Sequence, residues 1–415
     1  MSRRETRSTA AAAAVAVAGD NSEDGSNNKR KRDDDNENDL LEDDDGRNNN
    51  NGAAEPEAVL SLDQGSDDED DIDIDVPDGE FPSAFQLGRM LTLVEAVPAG
   101  KFDKESYDRM EMLGKWTSYS ENKENPEEWV RCKVDLQQLG GLLRMTYLIE
   151  RHMKDSTVVQ AASKISANLM YFCNLLDDDK KRQLNAAATY AIQAGTLRIL
   201  LLASEEFIPS KNHENWVAAR SIWRAVHNTC NRASELIDQS SLQPIVEANI
   251  IQYCLSDPTR SADSKVSVGC CVATVTEMAL KAHPLLAPLI HQHGIMESAH
   301  EFCKTHCSHI LSSPIHTKQI LGFCNFTLKS GLMSSGDMKK WLPFMSEAIS
   351  MYLTNHNKGI EKMAYKFVER AVDNINHREL DDTPFVKTLF SISQSSDTPE
   401  ELKTKYRALM TKILS

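Results

Sequence analysis

The stretch Gln319–Leu328, QILGFCNFTL, decides how this chain is read. Its apolar residues recur at helical spacing, and a Cys-Asn pair sits among them. The same pair occurs at Cys173-Asn174 in MYFCNLL and at Cys230-Asn231 in NTCNRA. With nine Cys in the whole chain, three such pairs exceed what random neighbours would give. The second gap, from Asn231 to Asn325, is roughly twice the 47 residues of a two- or three-helix repeat. The pattern points to an array of helical repeats.

Charge divides the chain. Residues 1–80 hold 25 Asp/Glu against 8 Lys/Arg and contain no aromatic residue, whereas the remainder has 37 acids and 38 bases. The first 80 residues cannot bury enough apolar area to offset chain entropy, so a disordered acidic tail is expected over 1–80. A nearly neutral folded body is expected over 81–415, without the global basicity of a nucleic-acid binder. At 415 residues the chain is too long for one compact core, but a quasi-one-dimensional stack absorbs that length. The cysteines lie inside apolar helical patterns and read as reduced thiols of a cytosolic or nuclear protein. No run of 18 apolar residues predicts a membrane span. Arg3, Arg4 and Arg7 before Ala10–Ala18 resemble a targeting peptide, but Glu5 interrupts the bases, and a low-complexity tail is the plainer reading.

The tail carries three short signals. Lys29-Arg30-Lys31-Arg32 has the minimum composition of a nuclear-import patch. Ser66, followed by Asp67-Asp68-Glu69, suits an acid-directed kinase. Ile72-Asp73-Ile74-Asp75-Val76 places three β-branched residues on one face of an extended strand and could add to a partner's sheet edge.

From Phe81 onward the helical period dominates. Ser83, Asp103, Asn125-Pro126, Ser156, Asp177, Ser241 and Ser313-Pro314 are read as helix starts. Starts expected at 313, 337, 358 and 383 give two helices per 40–47 residues, the period of helical arrays. Val266–Val275 is the only strand-like run, and its apolar positions fit a helix equally well.

Leu321–Phe326 and Met170–Leu175, and less closely His227–Arg232, resemble the inner-helix frame of an armadillo repeat. That resemblance implies an all-α, armadillo/HEAT-like right-handed superhelical solenoid of about 13–15 helices. It also implies a concave binding surface near Asn174, Asn231 and Asn325, with Trp223 and Arg224 beside it. In import receptors of this superfamily a tryptophan precedes each such asparagine. Here those positions are Met170, His227 and Leu321, so the cargo ladder of those receptors is not expected. The asparagines either meet a peptide backbone or bond neighbouring helix ends. Glu124–Trp129 with Val134-Asp135-Leu136 resembles the entry segment of the nuclear β-catenin-like family associated with splicing, which also carries a basic-then-acidic tail.

His300, Cys303 and Cys307 would share one helix face and are the weak candidates for a metal site, although one helix rarely supplies a tetrahedral ligand set. No phosphate loop, dinucleotide fingerprint or nucleophile elbow is present, and no cofactor is expected. Arg220, Arg224 and Arg232 could line a surface for acidic partners or be a solvated helix face. The expected function is therefore a non-catalytic protein-binding scaffold, nuclear or nucleocytoplasmic, with a protein partner reached through an extended or acidic peptide. An RNA- or spliceosome-associated adaptor is the alternative, and a zinc-dependent enzyme the remote one.

Overall fold

The structure, a computed structural model, describes residue 76 and residues 80–414 except 172–176, 209–211, 234–236, 258, 355–357, 376–379, 381–383 and 397. Lys29–Arg32, Ser66 and Asn174 lie outside the described residues. The described residues form helices and connecting turns, with no strand.

Among the described residues eighteen α-helices follow in order: α1 Ala84–Ala96, α2 Lys104–Thr117, α3 Pro126–Gln138, α4 Gly141–Arg151, α5 Ser156–Met170, α6 Asp178–Gln193, α7 Thr196–Phe207, α8 His213–Ala233, α9 Gln239–Glu247, α10 Ala262–Ala282, α11 Ala287–Gln292, α12 Ile295–Thr305, α13 Cys307–Ser312, α14 Pro314–Lys329, α15 Ser335–Thr354, α16 Lys358–Asn374, α17 Pro384–Gln394 and α18 Glu400–Leu414. The number exceeds the 13–15 expected because the chain breaks helices where the apolar pattern runs on. Asn249, at φ 43°, ends α9 and opens a 3-10 turn over Ile250–Leu255. His306 likewise separates α12 from the six-residue α13.

Local chemistry sets most of the starts. Ser83 and Gln86 make a reciprocal capping box at α1. Asp103 and Asp177 accept from the backbone N–H groups of Ser106 and Lys180. Pro314 occupies the first turn of α14 behind the Ser313 cap. Two caps differ from expectation. Asp155, not Ser156, caps α5 by accepting from Thr157 and Val158, and Asp238, not Ser241, caps α9. In each case a carboxylate upstream, one residue before Ser156 and three before Ser241, supplies the stronger acceptor.

The helices stack in a row. Successive members α2, α5, α8, α10, α14 and α16 pack side by side, and α1, α4, α7, α12 and α15 cover one side of that row. The last member, α18, joins α16 through the Tyr406 hydroxyl donating to buried Glu361 and through the Lys412–Asp373 ion pair. One continuous apolar core runs through the stack, and Val76 and Phe81 pack against it ahead of α1. A smaller cluster of Trp129, Val130 and Leu184 joins α3 to α6.

The middle member, α10, is buried on almost every side. It is the strand-like run of the sequence, built from Ser, Gly, Cys, Ala, Thr and Val. Small side chains let neighbouring backbones approach. Gly269 shows how closely: a Cβ added there would fall 2.4 Å from the ring of Phe302 on α12. Phe302 is itself fully buried and lies 5.3 Å from the ring of His306, so it has little room to retreat. Alanine normally favours a helix interior over glycine. Here overpacking outweighs that gain, and Gly269→Ala is expected to destabilise the fold by about 1–2 kcal/mol. Urea unfolding measures this, and adding Phe302→Leu should restore part of the loss.

Candidate interaction face

Three helices of the row, α8, α10 and α14, shape the face. On α8, exposed Arg220, Arg224 and Asn231 and half-buried His227 are spaced four, three and four apart in chain order, so they form one stripe. Beside them α10 contributes only a low floor. Ser267 and Cys271 are buried and Thr274 is half-buried. Beyond the floor α14 presents exposed Ile315 and half-buried His316, Gln319 and Asn325. Long side chains on α8 and α14 thus flank the short side chains of α10.

The charges show that these residues face one another. Burial lowers the pKa of Arg224, the neighbouring Arg220 cation lowers it further, and Cys271 on α10 opposes the shift. His316 on α14 is lowered by burial and by Arg220, against Asp263 of α10. Burial raises the Cys271 thiol to about 11, opposed by Arg224, by a hydrogen bond from Gln319 and by Arg220. Arg224 is open to solvent and yet desolvated, as a side chain in a recess would be. Among the described residues neither Arg220 nor Arg224 forms an ion pair or a hydrogen bond.

Several expected site residues have other work. Trp223 is fully buried, and its indole N–H donates to Ser204 Oγ at 2.8 Å. It is a core residue, turned toward Ser204 of α7 rather than toward solvent. Asn325 donates from its amide to Leu321 O and Met363 O, both at 3.0 Å. Its amide donors clamp α14 to α16 rather than waiting for a ligand. Asn231 is exposed on the α8 stripe, and Arg232 is half-buried beyond it.

Two asparagines that the Cys-Asn pattern did not single out do the same job as Asn325. Asn168 of α5 donates to Gly114 O and Thr117 Oγ1 of α2, and Asn228 of α8 donates 2.8 Å to Ala167 O of α5. The signal was available in the sequence: each asparagine lies in the C-terminal part of a long apolar helix. The cysteine was the distracting half of the pattern. Cys230 and Cys324 are buried and point into the core.

The metal candidates do not converge. His300 Nε2 pairs with Lys340 O at 3.0 Å, Cys303 is enclosed in the core, and the Cys307 thiol donates to Glu347 Oε2 at 3.0 Å. Among the described residues no cluster of three His, Cys, Asp or Glu side chains could hold an ion. A pocket at the start of α8 is lined by Trp216, Ser256, Asp257, Arg260, Ser261 and Lys265. Its lysine is already used, since Lys265 Nζ donates to Ser256 O and Asp257 O and lies 5.3 Å from the Trp216 ring centroid. Among the described residues no single helix is long and apolar enough to cross a membrane.

No protein-family model matches this chain, and no curated protein matches it. Two solved structures align with 80% of it. One is the crystal structure of Uso1-2, at 14% identity and a TM-score of 0.46. The chain spans about half of that protein, 52%. The other is an engineered protein, at 15% identity over 84% of its length with a TM-score of 0.36. The all-helical, solenoid-like architecture rests on the packing described above.

The histidines give the fold a pH dependence. Burial holds His152, His227, His300, His306 and His316 below the ordinary imidazole value of 6.5. A group whose folded pKa is depressed binds its proton more readily in the unfolded chain. Stability is therefore expected to fall as pH drops below 6.5, before the carboxylates titrate. Urea midpoints between pH 7.5 and 5 measure it, and replacing His306 with Gln should flatten the slope.

Proposed function

We propose that this chain is a non-catalytic, protein-binding scaffold of the armadillo/HEAT type, which receives an acidic peptide on the α8–α10–α14 face. The observation that carries the reading is the Arg220/Arg224 pair. Two cations one turn apart share one stripe, Arg224 is partly desolvated, and among the described residues no carboxylate is bound to either. Guanidinium groups suit carboxylate or phosphate oxygens because their fork of donors matches both. Exposed Ile315 offers an apolar anchor across the floor. The body is almost neutral overall, without the global basicity of an RNA binder, which favours a peptide over an RNA backbone.

The test compares the full chain with Arg220→Gln/Arg224→Gln, using fluorescence anisotropy of a labelled ten-residue poly-glutamate peptide. The double variant is expected to bind at least about tenfold more weakly, which corresponds to about 1.4 kcal/mol. Both side chains are accessible, so the helical circular dichroism should not change. Equal binding by the two proteins would remove the reading. Tighter binding of a ten-residue oligouridine at the same ionic strength would favour the RNA adaptor instead.

The same reading places the protein in the nucleus through Lys29-Arg30-Lys31-Arg32. Replacing all four with alanine is expected to move a fluorescently tagged full chain from nucleus to cytoplasm. An unchanged distribution would count against nuclear import through this patch.

A further inference from the structure

A third nitrogen group faces the two arginines. His316 lies in the first turn of α14, so the positive end of that helix stands at the same edge of the recess. Burial, and then Arg220 reaching from α8, lower the His316 pKa. Burial and Arg220 also lower Arg224, one turn further along α8. In the floor, burial raises the Cys271 thiol, and Arg224, Gln319 and Arg220 oppose the rise. Arg220 is thus the shared neighbour of a guanidinium, an imidazole and a floor residue on three different helices. Among the described residues the His316 ring, like both arginines, makes no hydrogen bond or ion pair. One acid, Asp263 of α10, bears on His316.

We infer that Arg220, Arg224 and His316 form a phosphate site, and that the partner peptide is held there by a phosphorylated serine rather than by carboxylates alone. The inference rests on the proposed peptide-binding role of this face and names the group that the face selects.

Oxygen count and charge separate the two anions. A carboxylate carries one charge and two oxygens in a plane, and a single guanidinium fork occupies both. Side chains four residues apart on a helix start about 6 Å apart at their Cβ atoms, so two forks can close on one group. A phosphoserine places nearly two charges and three acceptor oxygens on one phosphorus. It meets both forks and keeps lone pairs for the His316 N–H from the opposite wall. A neutral imidazole still has one N–H to give, so this third contact does not require a proton. Carboxylates that matched the arrangement would have to come as two acids side by side, and their mutual repulsion opposes that. Crowding strengthens the preference. Arg224 is desolvated and beside a like charge, so one group that neutralises both cations relieves more than a group that neutralises one. Exposed Ile315, next to His316 in the chain, offers an apolar contact to a residue flanking the phosphoserine.

The experiment uses the full chain in phosphate-free buffer and the anisotropy of two labelled ten-residue peptides. One is all glutamate, and in the other the fifth residue is phosphoserine. The phosphoserine peptide is expected to bind at least about tenfold more tightly. Arg220→Gln/Arg224→Gln should bind the two peptides alike, and His316→Ala should cut the preference about threefold. If the wild type binds both peptides equally while the arginine variant weakens both, the face takes carboxylates without selecting phosphate, and this inference fails alone. If the arginine changes affect neither peptide, the face reading fails as well. A preference that survives the arginine changes would put the phosphate elsewhere and overturn the inference. A preference left intact by His316→Ala would overturn the three-donor site.

Discussion

The close approach of α10 to its neighbours is the constraint on which the rest depends. A helix enclosed on nearly every side cannot carry large side chains in all directions. This one uses glycine under Phe302, cysteine and serine toward the open face, and valine toward the covering helices. Because α10 is thin, α8 and α14 come near enough for Arg220 on one to perturb His316 on the other. The recess and its electrostatics thus follow from the volumes of a few buried side chains. Close packing makes this arrangement sensitive to a single added methyl group.

Much of the architecture was legible in the sequence. Serine and aspartate caps, prolines in first turns and glycines at breaks fixed most helix boundaries within a few residues. The spacing of helix starts over residues 313–383 gave the repeat period. What misled was locally ambiguous chemistry. A serine and an aspartate both cap well, and when they stand close together, as at Asp155-Ser156, the sequence does not show which one turns toward the backbone. The run from Ile245 to Leu255 keeps an apolar period straight through a break that only the left-handed backbone at Asn249 creates.

The candidate site was legible in part. Arg220 and Arg224 were visible as bases on one long helix, but their lack of a partner is a property of packing that no spacing reveals. Trp223 is adjacent to Arg224 but is turned into the core, because one residue turns a helix by about 100°. Asn325 belonged to the resemblance that suggested a binding ladder. Its amide is instead spent on the next helix, where leaving those carbonyls unmet would be costly. At Asn325 the asparagine was thus architectural, and the thiol beside it marked the core.

The asparagine clamps are not evenly distributed. They join α2 to α5, α5 to α8 and α14 to α16, each by an amide donating to a backbone carbonyl. The two joints of α10 have no such clamp among the described residues. They rely on softer contacts: Lys265 against the Trp216 ring, Lys281 over the Phe326 ring, and the Cys271 thiol against Gln319. An amide–carbonyl bond loses most of its strength when its geometry degrades, whereas cation–ring and thiol contacts tolerate small displacements. The joints of α10 thus hold by shape, through small buried side chains in close contact, where the other joints add an amide to the packing.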